Sequence, residues 1–316
     1  MTILPPAPGE PRRPDGPRDS GDAWVIAPTG ERYWGRYGAA GLLAVDPERG
    51  VLLQHRVSWS HFGGTWALPG GARHEGESAL DGALRESQEE AGVPDGAVVP
   101  RLESVLDLGY WSYATVVADV RTPFDPVISD PESVALEWVP LDAVDALPLH
   151  PGFAASWPSL RALLEVRPAL VIDAANVVGS VPDGWWNDSA GAAERLYGRI
   201  LGALDDRGFG FVPEAAQPVW GGTDAHVRWY PETVLVVEGQ ARAIAEERAD
   251  AADETSLRIV AASGSGDDAI VREARALVER ERDVVVVTSD RELAARVVDA
   301  GAQALPAGWL LAQLGD

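Results

Sequence analysis

The chain has 316 residues, of which 46% are hydrophobic and 24% charged, so it can bury two ordinary domain cores. Its formal net charge of -23 disfavours a broad electrostatic grip on nucleic acid, and phosphate chemistry would need metal ions or local arginines. It has neither cysteine nor lysine, which excludes disulfides, zinc-thiolate sites, thiol nucleophiles, Schiff-base lysines and P-loop lysines.

The first 22 residues are rich in Pro, Gly and charge and lack an apolar signal core, so they are expected to be disordered. No apolar run is long enough for a membrane span, and a cytoplasmic enzyme is the default expectation. Residues 39–45 and 50–56 read as strands joined by an Asp-Pro turn. A glycine-rich stretch, 63–78, precedes a helix over 79–91, with Ser78 as its cap and Gly92 and Pro94 as its stop. Strands follow at 111–120 and from 134, and 156–166 reads as a closing helix.

Pro168 resets the pattern. Residues 168–179 read as a buried strand running into a loop, and 191–204 as a helix. Beyond 234, apolar strand runs alternate with amphipathic helices, which predicts a parallel sheet covered on both faces. The expected division is a tail (1–22), a first domain (23–166) and a second (167–316), both α/β.

The chemistry concentrates in GARHEGESALDGALRESQEEAGV, residues 71–93. On a helix Glu86, Glu89 and Glu90 stand at i, i+3 and i+4 and share a face. Three crowded carboxylates repel one another, and a hard divalent cation would relieve that repulsion and bridge to phosphate. A solvated acidic face, with Arg85 pairing to Glu89, is the plain alternative. Pro69, Gly70 and Gly71 make a tight bend where backbone can approach a ligand closely.

Gly71, Glu77, Arg85, Glu86, Glu89, Glu90, Gly92 and Val93 together resemble the box of the Nudix hydrolases. Ser87 departs from it, standing where the family has an aliphatic residue. The resemblance extends over roughly residues 36–165, through GGTWALPGG before the box and WVPLDAVDALPLHPGF after it. It implies a Nudix α/β/α sandwich with a mixed sheet and a pyrophosphohydrolase acting on phosphoric anhydride bonds with Mg2+ or Mn2+. It also assigns the metal ligands to Glu86, Glu89, Glu90 and the Gly70 carbonyl. Glu86 becomes the base that activates water, with Arg85 and Glu77 orienting the glutamates. Glu132 or Glu137 stands where some members supply a late ligand, and a solvent carboxylate reads equally well at either position. The loop is similar to that of members acting on oxidised nucleoside triphosphates, and nucleotide-sugar hydrolases share similar loops. Trp34, Trp59, Trp66 and Trp111 are candidates to stack a base, although packing is the default for each.

The second half resembles the PIN-like nucleases of the NYN or YacP-like group, through LVIDAANVVG, GSGDDAIV and VVVVTSDRELAARVVDAGAQ. The resemblance implies a mostly parallel sheet between helices. Its metal-holding carboxylates would be Asp173, Asp267, Asp268 and Asp290, with Asn176 orienting them and RNA as the substrate. An aspartate at a strand end also commonly caps the next helix, and Asp290 fits that role well. The aromatic pair in DGWW (183–186) could stack a base, and packing against the sheet is the safer reading. His226 alone does not suggest catalysis. A second overall reading makes this domain the output and the Nudix domain a nucleotide sensor.

Overall fold

The structure is a computed structural model. It describes residues 1–5, 19–181, 188–211, 213, 216, 225–248 and 257–315. The chain separates into two compact units, Met1–Ala162 with Gly222–Arg228, and Leu163–Gly221 with Trp229–Asp316.

Unit 1 begins with a small antiparallel sheet of β1 (Thr2–Leu4), β2 (Trp24–Ile26) and β3 (Arg32–Trp34). The start of the expected disordered tail is therefore a strand, tied to β2 by ladder pairs from Thr2↔Ile26 to Leu4↔Trp24. The main sheet is built on β4 (Ala39–Asp46), β5 (Gly50–Arg56), β8 (Val98–Asp107), β9 (Ser112–Val120) and β10 (Ser133–Val139). Its order is β10-β5-β4-β9-β8, with β12 (Ala225–Trp229) added beyond β8. Two short strands, β6 (Trp66–Ala67) and β7 (Gly70–Ala72), pair with β5 and β4. The sheet is mixed: β4 runs parallel to β9, whereas β4–β5, β4–β7, β5–β6, β5–β10 and β8–β9 are antiparallel. All eight residues of β4 are buried, as expected for an apolar strand with neighbours on both sides.

Helix α1 (Ala79–Ala91) has the bounds expected from its caps. Asp81 N donates to Ser78 Oγ at 3.0 Å, and Gly92 closes the helix in the left-handed region at φ 64°. Its buried face includes Leu80, Ala83, Glu86, Ser87 and Glu90. Ser87 is fully buried and satisfies itself by donating to the Leu84 carbonyl at 2.8 Å, so the polar replacement leaves no unmet donor. Helix α2 (Pro151–Leu163) starts five residues before the expected 156, with Pro at its first position.

Unit 2 holds a five-stranded, all-parallel sheet of β11 (Pro168–Asp173), β13 (Glu232–Val237), β14 (Leu257–Ala261), β15 (Asp283–Val287) and β16 (Gln303–Leu305). Its order is β14-β13-β11-β15-β16. Chain progress thus reverses direction between β11 and β15. The loop expected after β11 is instead a short helix, α3 (Ala174–Gly179), followed by α4 (Ser189–Asp206). Helices α6 (Gly266–Glu279) and α7 (Arg291–Asp299) cover one sheet face, where Val171, Val234 and Val286 pack against Ile270, Leu277 and Leu293. Helices α5 (Ala243–Glu247) and α8 (Ala307–Leu314) complete the unit. Among the described residues, no helix is long and apolar enough to cross a membrane.

Candidate active site

The site in unit 1 is set by close backbone contact between β4 and β7, where Gly41 pairs with Gly70 and Ala40 with Gly71. A Cβ on Gly70 would lie 2.4 Å from the Ala40 carbonyl oxygen, so only glycine allows the strands to approach this closely. A Cβ on Gly71 would lie 2.7 Å from the carboxyl carbon of Glu86. The missing side chain leaves the space the Glu86 carboxylate occupies.

Arg85 organises the α1 face. Its Nε donates to Glu77 Oε1 at 2.7 Å and its Nη2 to Glu77 Oε2 at 3.0 Å, a two-pronged grip. Nη2 also reaches the Ala72 carbonyl at 3.0 Å, while Nη1 donates to Glu86 Oε1 at 2.8 Å and Glu89 Oε2 at 3.4 Å. Burial pushes the Glu77 carboxyl up, but the guanidinium and the His74 N–H together hold it below its ordinary value. The resulting bridge links the glycine corner to the helix and fixes two of its glutamates.

Glu90 lies deeper. It accepts from Gly70 N at 2.9 Å and from Gln54 Nε2 at 3.3 Å. Burial, and then the negative charge of Glu86, push its carboxyl up to about 8. Gln54 was not anticipated from sequence. It points inward from β5 and also holds Ser133 Oγ at 2.8 Å. The phenol of Tyr113 reaches the same corner, packing where a Cβ on Gly41 would sit. Glu86 and Glu90 are both buried, whereas the Glu89 side chain is 37% exposed and reaches Arg85. Among the described residues, no three His, Cys, Asp or Glu side chains form a ready-made metal cage. The three carboxylates share the helix face, and the two on its buried side are the pair in close electrostatic contact.

Of the two later glutamates, Glu132 belongs to this neighbourhood. It pairs with Arg56 Nη2 at 3.4 Å and raises the Glu90 carboxyl by its charge. Glu137 lies exposed on β10. Trp66 is buried and stacked on His55, and Trp34 and Trp111 are tied together by an indole N–H to carbonyl bond at 3.0 Å. Trp59 is exposed.

In unit 2 the expected aspartates have different partners. Asp173 ends β11, accepts from Asn176 N at 3.0 Å and from Thr288 Oγ1 at 3.0 Å, and is pushed up by burial and by the charges of Asp267 and Glu238. Arg296 pairs with Asp268 at 2.5 Å and with Asp267 at 3.8 Å, and Asp290 caps α7 by accepting from Glu292 N and Leu293 N. The group acting on Asp173 is therefore Asp267 with Glu238, a residue just past β13 whose local sequence signal is only that of a turn. Asn176 Oδ1 accepts from Ser289 N at 2.8 Å, joining the ends of β11 and β15. Residues 183–186 lie outside the described residues, and His226 is exposed.

A NUDIX-domain family model matches residues 35–163. A Mycobacterium tuberculosis protein provisionally named 8-oxo-dGTP diphosphatase 3 is 48% identical over 171 residues, spanning 51% of this chain and 76% of that protein. The chain belongs to the Nudix hydrolase family. A Bifidobacterium longum nucleoside triphosphate pyrophosphatase/Nudix hydrolase fusion protein is 40% identical over 153 residues, covering 46% of this chain and 32% of the fusion. The crystal structure of the Mycobacterium smegmatis Nudix hydrolase RenU is 48% identical and covers 46% of this chain and 95% of RenU, with a TM-score of 0.42.

As a Nudix hydrolase the chain acts on phosphoric anhydride bonds, and its relatives use nucleotide substrates. Members of the family generally use Mg2+ or Mn2+. The residues of this site fit such an ion. Two buried carboxylates face an excess of negative charge, seen in the raised Glu90, and hard divalent cations take oxygen donors of this kind. The space at Gly71 keeps the Glu86 carboxylate clear of side-chain packing.

Proposed function

We propose that the first unit, taken as residues 23–166, is a nucleotide pyrophosphohydrolase dependent on Mg2+ or Mn2+. Its substrate is a nucleoside triphosphate or another nucleoside-diphosphate-linked compound. The name of the tuberculosis relative favours an oxidised purine nucleoside triphosphate. The observation that carries this reading is the buried Glu86–Glu90 pair at the Gly70–Gly71 corner, held in place by Arg85.

Glu86, Glu89, Glu90 and the Gly70 carbonyl are the residues assigned to hold the cation. When bound, the cation supplies charge neutralisation on the phosphates and eases deprotonation of water. Glu86 takes the proton as a water oxygen attacks phosphorus. The bond from that phosphorus to its bridging oxygen breaks, and the electrons leave with the departing phosphate or pyrophosphate. Arg85 and Glu77 position the glutamates and do not touch the reacting atoms. Turnover of a nucleotide panel with magnesium, measured by phosphate release, tests this. Glu86→Gln and Glu90→Gln should each lower kcat by at least about 10²-fold. Unchanged turnover in both variants would overturn the assignment.

A second reading concerns residues 167–316 as a PIN-like nuclease acting on RNA. In open α/β sheets ligands bind beyond the strand ends where chain order reverses, and Asp173 stands at that reversal with Glu238 and Asp267 acting on it. Single-stranded RNA cleavage abolished by Asp173→Asn, with nucleotide hydrolysis intact, is the expected result. An inert parent chain would end this reading.

A further inference from the structure

We propose that Phe62, His61 and His150 form the base-reading side of the Nudix site, with Phe62 stacking a purine and the His150 Nε2–H donating to the oxo group of a 6-oxopurine. The proposal rests on the hydrolase reading and adds its substrate class.

Phe62 lies in the loop between β5 and β6. It is 46% exposed and holds φ at 55°, a left-handed conformation that is uncommon for a bulky residue and usually retained for a reason beyond folding. Two glycines follow it immediately, so the loop had residues better suited to that conformation. Its ring lies 4.3 Å from the His61 ring and meets the His150 ring edge-on at 4.8 Å. His61 is backed in turn by Trp24 at 5.3 Å. An exposed aromatic ring held in contact with other rings is suited to stack a nucleobase.

His150 sits at the start of α2. The Gly152 N–H donates to its Nδ1 at 3.1 Å, so the ring proton resides on Nε2. Burial, then the charges of Arg56 and His61, push its imidazolium down to about 4, and His61 is lowered by burial and by Arg56 and Arg32. At neutral pH the two rings are uncharged, which makes them poor phosphate ligands. Capping alone would be served better by Ser, Asp or Asn. What the imidazole adds is an apolar ring and a donor on Nε2. That donor matches an oxo acceptor on the purine edge and clashes with an amino group there.

Arg56 joins this cluster to the carboxylates. Its Nε donates to the His61 carbonyl at 3.3 Å, while its Nη2 pairs with Glu132, and its charge acts on Glu90, His61 and His150 alike. Arg56 thus links the ring cluster and the carboxylates within one unit.

The test uses the full chain, with dGTP and dATP in steady-state kinetics and dGMP and dAMP in binding calorimetry. The parent should prefer the guanine compounds roughly tenfold or more. His150→Ser keeps a capping oxygen but removes the donor, and should erase that preference with little loss of melting temperature. Phe62→Ala should raise KM for both triphosphates roughly tenfold at nearly constant kcat. A parent without preference, or a His150→Ser variant that retains it, would overturn the proposal. Glu86→Gln should stop turnover yet keep the dGMP preference. If the parent hydrolyses no nucleotide at all, the hydrolase reading fails, while the dGMP-to-dAMP affinity ratio still decides the base reader.

Discussion

Arg85→Ala is the perturbation whose size the structure constrains best. The guanidinium makes three short bonds to carboxylates, at 2.7 and 3.0 Å to Glu77 and at 2.8 Å to Glu86, and one to the Ala72 carbonyl at 3.0 Å. The side chains of Glu77 and Glu86 are 12% and 10% exposed, so neither is readily rehydrated when the arginine is lost. Hydrogen bonds to charged groups contribute about 1.5–3 kcal/mol each, and removing one partner of a buried pair costs about 3–5 kcal/mol. Arg85 is itself 21% exposed and water can enter beside it, which lowers the expected loss to about 2–4 kcal/mol. Arg85→Lys keeps the charge but not the two-pronged geometry and should fall between. Urea unfolding in the presence of a chelator measures these losses. A double-mutant cycle with Glu77→Gln should give a coupling of about 1–3 kcal/mol. The Glu77 carboxyl is held below its ordinary value of 4.5, so its contribution is present above that pH and fades as pH falls through the depressed value. A coupling below about 0.5 kcal/mol at pH 7, or one that grows on acidification, would refute this account of the bridge.

The other expectations concern single contacts. Gly71→Ala places a Cβ 2.7 Å from the Glu86 carboxyl, so kcat should fall about 10²-fold, whereas an unchanged kcat would show that Glu86 tolerates displacement. Glu90 is raised to about 8, so the folded chain keeps a proton that the unfolded chain releases above 4.5. Stability of the metal-free parent relative to Glu90→Gln should therefore decline between pH 4.5 and 8, by up to about 1.4 kcal/mol per pH unit; parallel melting curves across that window would contradict it. Asp290→Ala should cost about 1–2 kcal/mol through loss of the α7 cap, and Asp290→Asn much less, as read by thermal unfolding of unit 2.

Local chemistry made much of unit 1 legible. A Ser cap, a glycine stop and a carboxylate pattern at helical spacing specify α1 to the residue, because each acts within one or two turns. The box positions could be read for the same reason, and so could the alternation of strand and helix in unit 2. β8 escaped notice because Pro100 and two charged residues interrupt its apolar pattern, and the strand absorbs them with a bulge between Pro100 and Leu102. α3 escaped because one turn of helix held by an aspartate cap has too short a period to detect.

The sequence alone determined which residue types share the α1 face and that a glycine corner precedes them. Tertiary packing decided how the acids divide. Gln54 and Gly70 draw Glu90 inward while Arg85 draws Glu77, Glu86 and Glu89 together, and neither arrangement follows from spacing along one helix. In unit 2 Glu238 comes near Asp173 while Asp268 and Asp290 turn to Arg296 and to the α7 N–H groups. The physical reason is that a carboxylate's partner is set by through-space distance and burial, and these depend on which strands become neighbours, a choice made by residues far apart in the chain.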